Sequence, residues 1–121
     1  MALCALVLVL AIAPARAAQP QVLPELQAAQ EAVQRATDAD ADQYAPDLLQ
    51  TARNELAAAQ AALANRGQRK QAPWLAQRAR ADADLARARS GQAQAQARLA
   101  QAQQDVAQLR KSLGLPAEGT P

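Results

Sequence analysis

From Trp74 to Leu113 the chain returns to one helical face at alternating steps of four and three, through Trp74, Arg78, Ala81, Leu85, Ala88, Gln92, Ala95, Leu99, Ala102, Val106, Leu109 and Leu113. No other feature constrains the fold as strongly. A strict seven-residue repeat slips around a straight helix, so a helix that keeps it is expected to supercoil against another. Alanine at contact positions lets the two backbones lie close together. The pairing seam is therefore expected to comprise Leu85, Ala88, Ala95, Leu99, Ala102, Val106 and Leu109, with Ala76, Ala83, Ser90, Gln94, Ala97 and Gln101 on the outermost face.

Proline and glycine punctuate the rest. Pro24 followed by Glu25 and Pro46 followed by Asp47 read as first helical turns, each with an acid favourable to the helix dipole. Leu26, Ala29, Val33 and Ala36 share one face, as do Leu49, Ala52, Leu56, Ala59 and Leu63. The spacing predicts helices over about 24–42, 46–66 and 70–113, with Gly67 as a left-handed stop for the second and Gly114-Leu115-Pro116 ending the third. The fold class is all-α: a three-helix antiparallel bundle or a helical hairpin with one long C-terminal coiled-coil-like helix. Tyr44, Leu49, Leu56, Trp74 and Leu75 are expected to plug its small core. The segment Ala45-Pro46-Asp47-Leu48-Leu49-Gln50-Thr51-Ala52-Arg53 weakly echoes the one that begins at Ala72, and two copies are too few for a solenoid.

Residues 1–14 form an apolar run without charge, and Ala15-Arg16-Ala17 supplies a small-residue cleavage pattern. Residues 1–17 read as a cleaved secretory signal, too short for a membrane span of about 20 apolar residues, and residues 18–23 as a linker. The expected compartment is the periplasm. Cys4 stands at the start of the apolar run instead of after it, so lipidation is not expected, and the processed chain has no thiol. From residue 18 onward 29 alanines and 18 glutamines face only 15 leucines and valines. Alanine has the best helix propensity, yet its burial removes little apolar surface from water at about 25 cal/mol per Å2. High helicity on a thin core follows, with residues 114–121 as a disordered tail.

Charge is segregated. Residues 25–55 carry seven acids against Arg35 and Arg53, and residues 66–111 carry ten bases against Asp82, Asp84 and Asp105. On a helical projection of 100° per residue, Arg78, Arg80, Arg87, Arg89 and Arg98 flank the seam, where coiled-coil margins pair with acids of a neighbouring helix. The expected partners are accordingly protein helices, from a second copy in a homo-oligomer or from another envelope protein. Binding of an anionic polymer or lipid surface by the arginine-rich helix is the alternative, and nucleic acid is not expected.

Catalysis finds no support. Without Cys or His beyond residue 17 there is no thiol, no imidazole and no usual zinc ligand set. Asp38, Asp40 and Asp42 open like a calcium loop, but Gln43 replaces its turn glycine and Leu49 its closing glutamate. No enzyme, cofactor or metal is expected.

The stretch Ala39-Asp40-Ala41-Asp42-Gln43-Tyr44-Ala45-Pro46, then Leu49, Ala52, Leu56 and Ala59, then the run from Leu75 through Ala79-Arg80-Ala81-Asp82-Ala83 to Ala86, resembles the bacterial envelope family called domain of unknown function 4398. The likeness extends over roughly residues 30–96. It implies a small helical periplasmic protein or lipoprotein, in a family some of whose members carry a peptidoglycan-binding domain, and it implies no assigned activity.

Overall fold

The computed structural model describes residues 23–116, and the expected signal at 1–17 lies outside them, as do most of the linker and the tail. Most of the described residues are helical, and there is no strand among them. Helix α1 spans Pro24–Asp38, a single turn α2 spans Ala41–Tyr44, α3 spans Pro46–Ala64, a 3-10 turn covers Arg69–Gln71, and α4 runs unbroken over Ala72–Ser112.

Local chemistry sets each boundary. Pro24 and Pro46 open α1 and α3 at positions where the missing N–H costs nothing, with Glu25 and Asp47 in the first turns. The helix expected over 24–42 divides because Asp40 takes a left-handed backbone, φ 58°. Aspartate tolerates that region better than most side chains, and the turn re-forms the ladder when the Tyr44 N–H donates to the Asp40 carbonyl at 3.1 Å. Helix α3 stops at Ala64 because Asn65 is extended; the left-handed stop expected at Gly67 is absent, and the Gly67 N–H instead donates to Asn65 Oδ1 at 3.0 Å. Gly114 does adopt φ 67°, and the Leu115 N–H reaches back to the Arg110 carbonyl at 2.9 Å, a Schellman stop for α4.

Packing follows one axis. Leu26 and Ala29 of α1 meet Ala76 and Ala79 of α4, and farther along Ala32 and Ala36 meet Ala83 and Ala86. Residue numbers rise together, so α1 and α4 run the same way. Ala59 packs at the lower level and Leu49 with Ala52 at the upper, so α3 runs against both. The result is an up-down-up bundle whose core is almost entirely alanine; Leu49 is the largest apolar side chain in it that is fully enclosed. Small side chains give such a core its stability through close approach more than through area removed from water.

This packing corrects the expected face of α4. The row buried against α1 and α3 is Ala72, Ala76, Ala79, Ala83, Ala86 and Ser90, which includes residues expected on the outermost face. Leu85, Ala88, Ala95, Leu99, Ala102, Val106 and Leu109 all lie on the solvent side of the single chain. Trp74 and Arg78 explain the choice, since side chains of their bulk cannot enter a contact that alanine on all three helices has drawn tight. The core plug is corrected likewise: Leu49 is buried and Leu56 and Leu75 pack partly against the lower cluster, whereas Tyr44 and Trp74 are exposed, Trp74 by 56%.

Candidate functional site

Helix α4 outruns its partners. The α1–α2 corner is fastened to it by Ser90, whose hydroxyl donates to the Ala39 carbonyl, and by Gln94, whose amide donates to that carbonyl at 3.1 Å and to Asp40 Oδ2 at 3.2 Å. Beyond this clasp the bundle ends. Residues 95–112 continue past the other described helices as an arm about 27 Å long at 1.5 Å per residue, and every residue from 95 to 109 is exposed.

The arm and the outer side of the bundled part share one apolar stripe. All of the large exposed apolar side chains within α4 (Trp74, Leu85, Leu99, Val106 and Leu109, with Leu113 at its cap) lie on the seven-residue repeat and on no other face. Leu99 and Leu109 are 60% and 61% exposed. By helical projection the stripe is centred about 180° from the buried alanine row, so α1 and α3 do not overhang it. A groove of about 620 Å3 lies beside the end of the arm, lined among the described residues by Ala102, Gln103, Val106, Ala107, Arg110 and Lys111.

The arginines divide into two sets. Near the bundle, Arg78 Nη2 lies 2.5 Å from Glu55 Oε1, and Arg80 is 3.8 Å from Asp84, which also lies 3.9 Å from Arg35 of α1. Interhelical pairing is thus present at Arg78–Glu55 and Arg35–Asp84. Farther out, Arg89 donates to Gln92 at 3.3 Å, and Arg87 and Arg98 meet no carboxylate among the described residues. Expected pairing of those three with the acidic first half does not form: Arg98 lies beyond the end of the bundle, and Arg87 and Arg89 flank the buried alanine row without being part of it.

Glu55 is the residue that the spacing argument passed over, although it sits three after Ala52 and four before Ala59 on the inner stripe of α3. Its side chain is 13% exposed, and Oε2 is buried without a donor. Burial pushes its carboxyl above the usual 4.5, the nearby Asp82 carboxyl adds to the rise by hydrogen bonding and repulsion, and Arg78 opposes it. Two ionised carboxylates cannot hydrogen-bond; with a proton on Glu55 they can. The group ties α3 to α4 in a lateral position.

Around the Tyr44-Ala45-Pro46 corner a shallow hollow of about 280 Å3 is lined by Tyr44, Pro46, Asp47, Leu48 and Arg89. Asp38 accepts from Gln34 at 2.8 Å and Asp40 from Gln94, and no group of three acidic, His or Cys side chains among the described residues is placed to hold a metal ion. No helix among the described residues is long and apolar enough to cross a membrane.

The family model for the domain of unknown function DUF4398 matches residues 24–109, from the first turn of α1 to the arm. The chain belongs to the DUF4398 family. No curated protein and no solved structure matches it. The DUF4398 match includes the alanine-cored bundle and most of the arm together, so the unsupported part of α4 lies within the family's domain and is not an appendage to it.

Proposed function

We propose that this DUF4398 chain is an exported helical module of the bacterial cell envelope, without catalytic activity, that acts by pairing the solvent-facing stripe of α4 with a partner helix. The observation that carries the reading is the stripe itself: leucines and valine held at heptad spacing on an arm that the bundle leaves uncovered. Exposed leucines at 60% cost free energy in water, and a seven-residue repeat is the spacing a second helix covers. Export is supported by the apolar run and small-residue triplet in residues 1–17. Crosslinking of the native protein in intact cells, followed by mass measurement of the adduct, tests the pairing. An adduct through the arm is expected; an uncrosslinked monomer under every condition would remove the reading.

A second reading has its own support. Residues 87–111 carry Arg87, Arg89, Arg98, Arg110 and Lys111 against the single acid Asp105, and an apolar helical stripe bordered by arginines also suits an anionic lipid surface or wall polymer. Retention on anionic vesicles that vanishes with salt is the expected sign of this mode, and absence of any salt-sensitive retention counts against it.

A further inference from the structure

The stripe specifies its own complement. Numbered along the heptad, one core row of the outer α4 face is Leu85, Gln92, Leu99, Val106 and Leu113, and the row three residues after each is Ala88, Ala95, Ala102 and Leu109. The flanking positions beside these rows carry Asp84, Arg98 and Asp105 on one margin and Arg89, Gln96, Gln103 and Arg110 on the other. In a parallel, in-register pair of helices, each residue of the first margin faces the residue five farther on in the second helix. Asp84 then faces Arg89 of the second copy and Asp105 faces Arg110 of the second copy, while Arg98 faces Gln103. Each acid meets a base, twice over by symmetry, and no like charges meet.

We propose that the occupant of the stripe is a second copy of this chain, paired parallel and in register from Leu85 to Leu113 as a two-stranded coiled coil with the two bundles side by side at one end. The inference rests on the helix-pairing reading and names its partner.

Two further features discriminate the direction. The antiparallel register that sets Leu85 against Leu109 turns about residue 97. It sets Arg98 against its own copy and brings no acid to a base between residues 84 and 112. It also places the Gln92 amide against Ala102, where the amide has no partner. In the parallel arrangement Gln92 meets Gln92, and each amide supplies a donor and an acceptor to the other. A single polar residue in an otherwise apolar core row is a register device of this kind. The bundles do not obstruct the pairing, because the buried alanine row faces away from the stripe and Asp84 remains 46% exposed beside Arg35.

The test uses the protein as isolated from the envelope, in a Cys4→Ser background. Ala88→Cys and Ala102→Cys are separate variants at exposed positions that leave the bundle core untouched. Sedimentation is expected to give a dimer, and under mild oxidation each variant alone is expected to form a homodimeric disulfide. Asp105→Arg is expected to raise the dimer dissociation constant at least about tenfold, and adding Arg110→Asp to restore it, since the swapped pair meets again across the interface. A dimer that oxidises only when Gln92→Cys and Ala102→Cys chains are mixed would be antiparallel; it overturns this inference while leaving helix pairing intact. A monomer at all concentrations overturns the second copy as partner, and the in-cell adduct then decides whether another protein's helix takes the place. A monomer retained on vesicles of phosphatidylglycerol, but not of phosphatidylcholine, overturns both.

Discussion

Arg78 holds Glu55 at 2.5 Å across the contact between α3 and α4, and the same guanidinium lies 4.9 Å over the ring of Trp74. A residue placed by the heptad pattern on a coiled-coil seam thus serves the bundle laterally. It neutralises a carboxylate that α3 brings to the edge of the alanine core, and its own apolar stem and the indole shield the pair from one side. Removing it leaves Glu55 beside Asp82 without a counter-charge. Since Arg78 is half exposed, Arg78→Ala is expected to cost about 1–2 kcal/mol, less than a fully buried pair, and to lower the thermal midpoint by several degrees. Unfolding followed by circular dichroism at neutral pH measures it.

The raised pKa of Glu55 has a definite consequence for stability. Its folded-state value lies above 4.5, the unfolded value. The folded protein therefore binds this proton more tightly than the unfolded chain. The corresponding stabilisation is complete below about 4.5 and is lost as pH rises through the folded value. Glu55→Gln, which stays neutral and can still hydrogen-bond to Asp82 and Arg78, is expected to be more stable than the parent at pH 7. The gain should shrink as the pH falls toward 4.5. Urea midpoints for both proteins across that range check it, and a gain independent of pH would contradict the assignment.

The two faces of α4 should respond oppositely to bulk. Ala83→Leu forces a larger side chain into an alanine contact shared with α1 and α3 and is expected to destabilise by about 1–3 kcal/mol or more. Ala88→Leu, on the exposed stripe, is expected to change the stability of the isolated bundle by no more than about 0.5 kcal/mol. Urea unfolding of the two variants at low protein concentration distinguishes the faces, since the expected seam predicts the reverse order.

At the end of the bundle the Ser90 hydroxyl donates to the Ala39 carbonyl, just before the left-handed Asp40. Ser90→Ala removes that donor while Gln94 still reaches the same carbonyl, so a loss of about 0.5–1.5 kcal/mol is expected. Amide hydrogen exchange should quicken at residues 40–45 and not near Leu26. Uniform change along the chain would mean that the clasp does not act locally.

Asp40 is itself a test of backbone conformation. Asp40→Val puts a β-branched side chain at φ 58° and is expected to destabilise by more than about 1 kcal/mol, whereas Asp40→Gly trades relief of that constraint against lost entropy and the Gln94 contact and is expected to be close to neutral. Thermal midpoints of the pair separate strain from side-chain bonding.

Much of the architecture was readable because it is written in local chemistry. Pro24, Pro46 and Pro73 mark helix starts, Gly114 marks a stop, and the spacing of Leu49, Ala52 and Ala59 names the inner face of α3. The resemblance carried by Tyr44-Ala45-Pro46 and Ala79-Arg80-Ala81-Asp82-Ala83 pointed to the family that the match over residues 24–109 establishes. The division at Asp40 was not readable, since aspartate in a left-handed turn has the same local signature as aspartate in a helix end.

Helix content and the length of α4 follow from the order of residues alone, because alanine, glutamine and arginine favour the helical backbone wherever they stand and proline and glycine interrupt it locally. Which side of α4 lies inside depended on tertiary structure. Two heptad rows run along that helix, one of alanines from Ala72 through Ser90 and one of leucines from Leu85 onward, and each has the same spacing. The choice between them was made by the surfaces of α1 and α3, whose own alanines admit a helix only along its narrowest face. That close fit leaves the leucines outside, where a second helix can reach them.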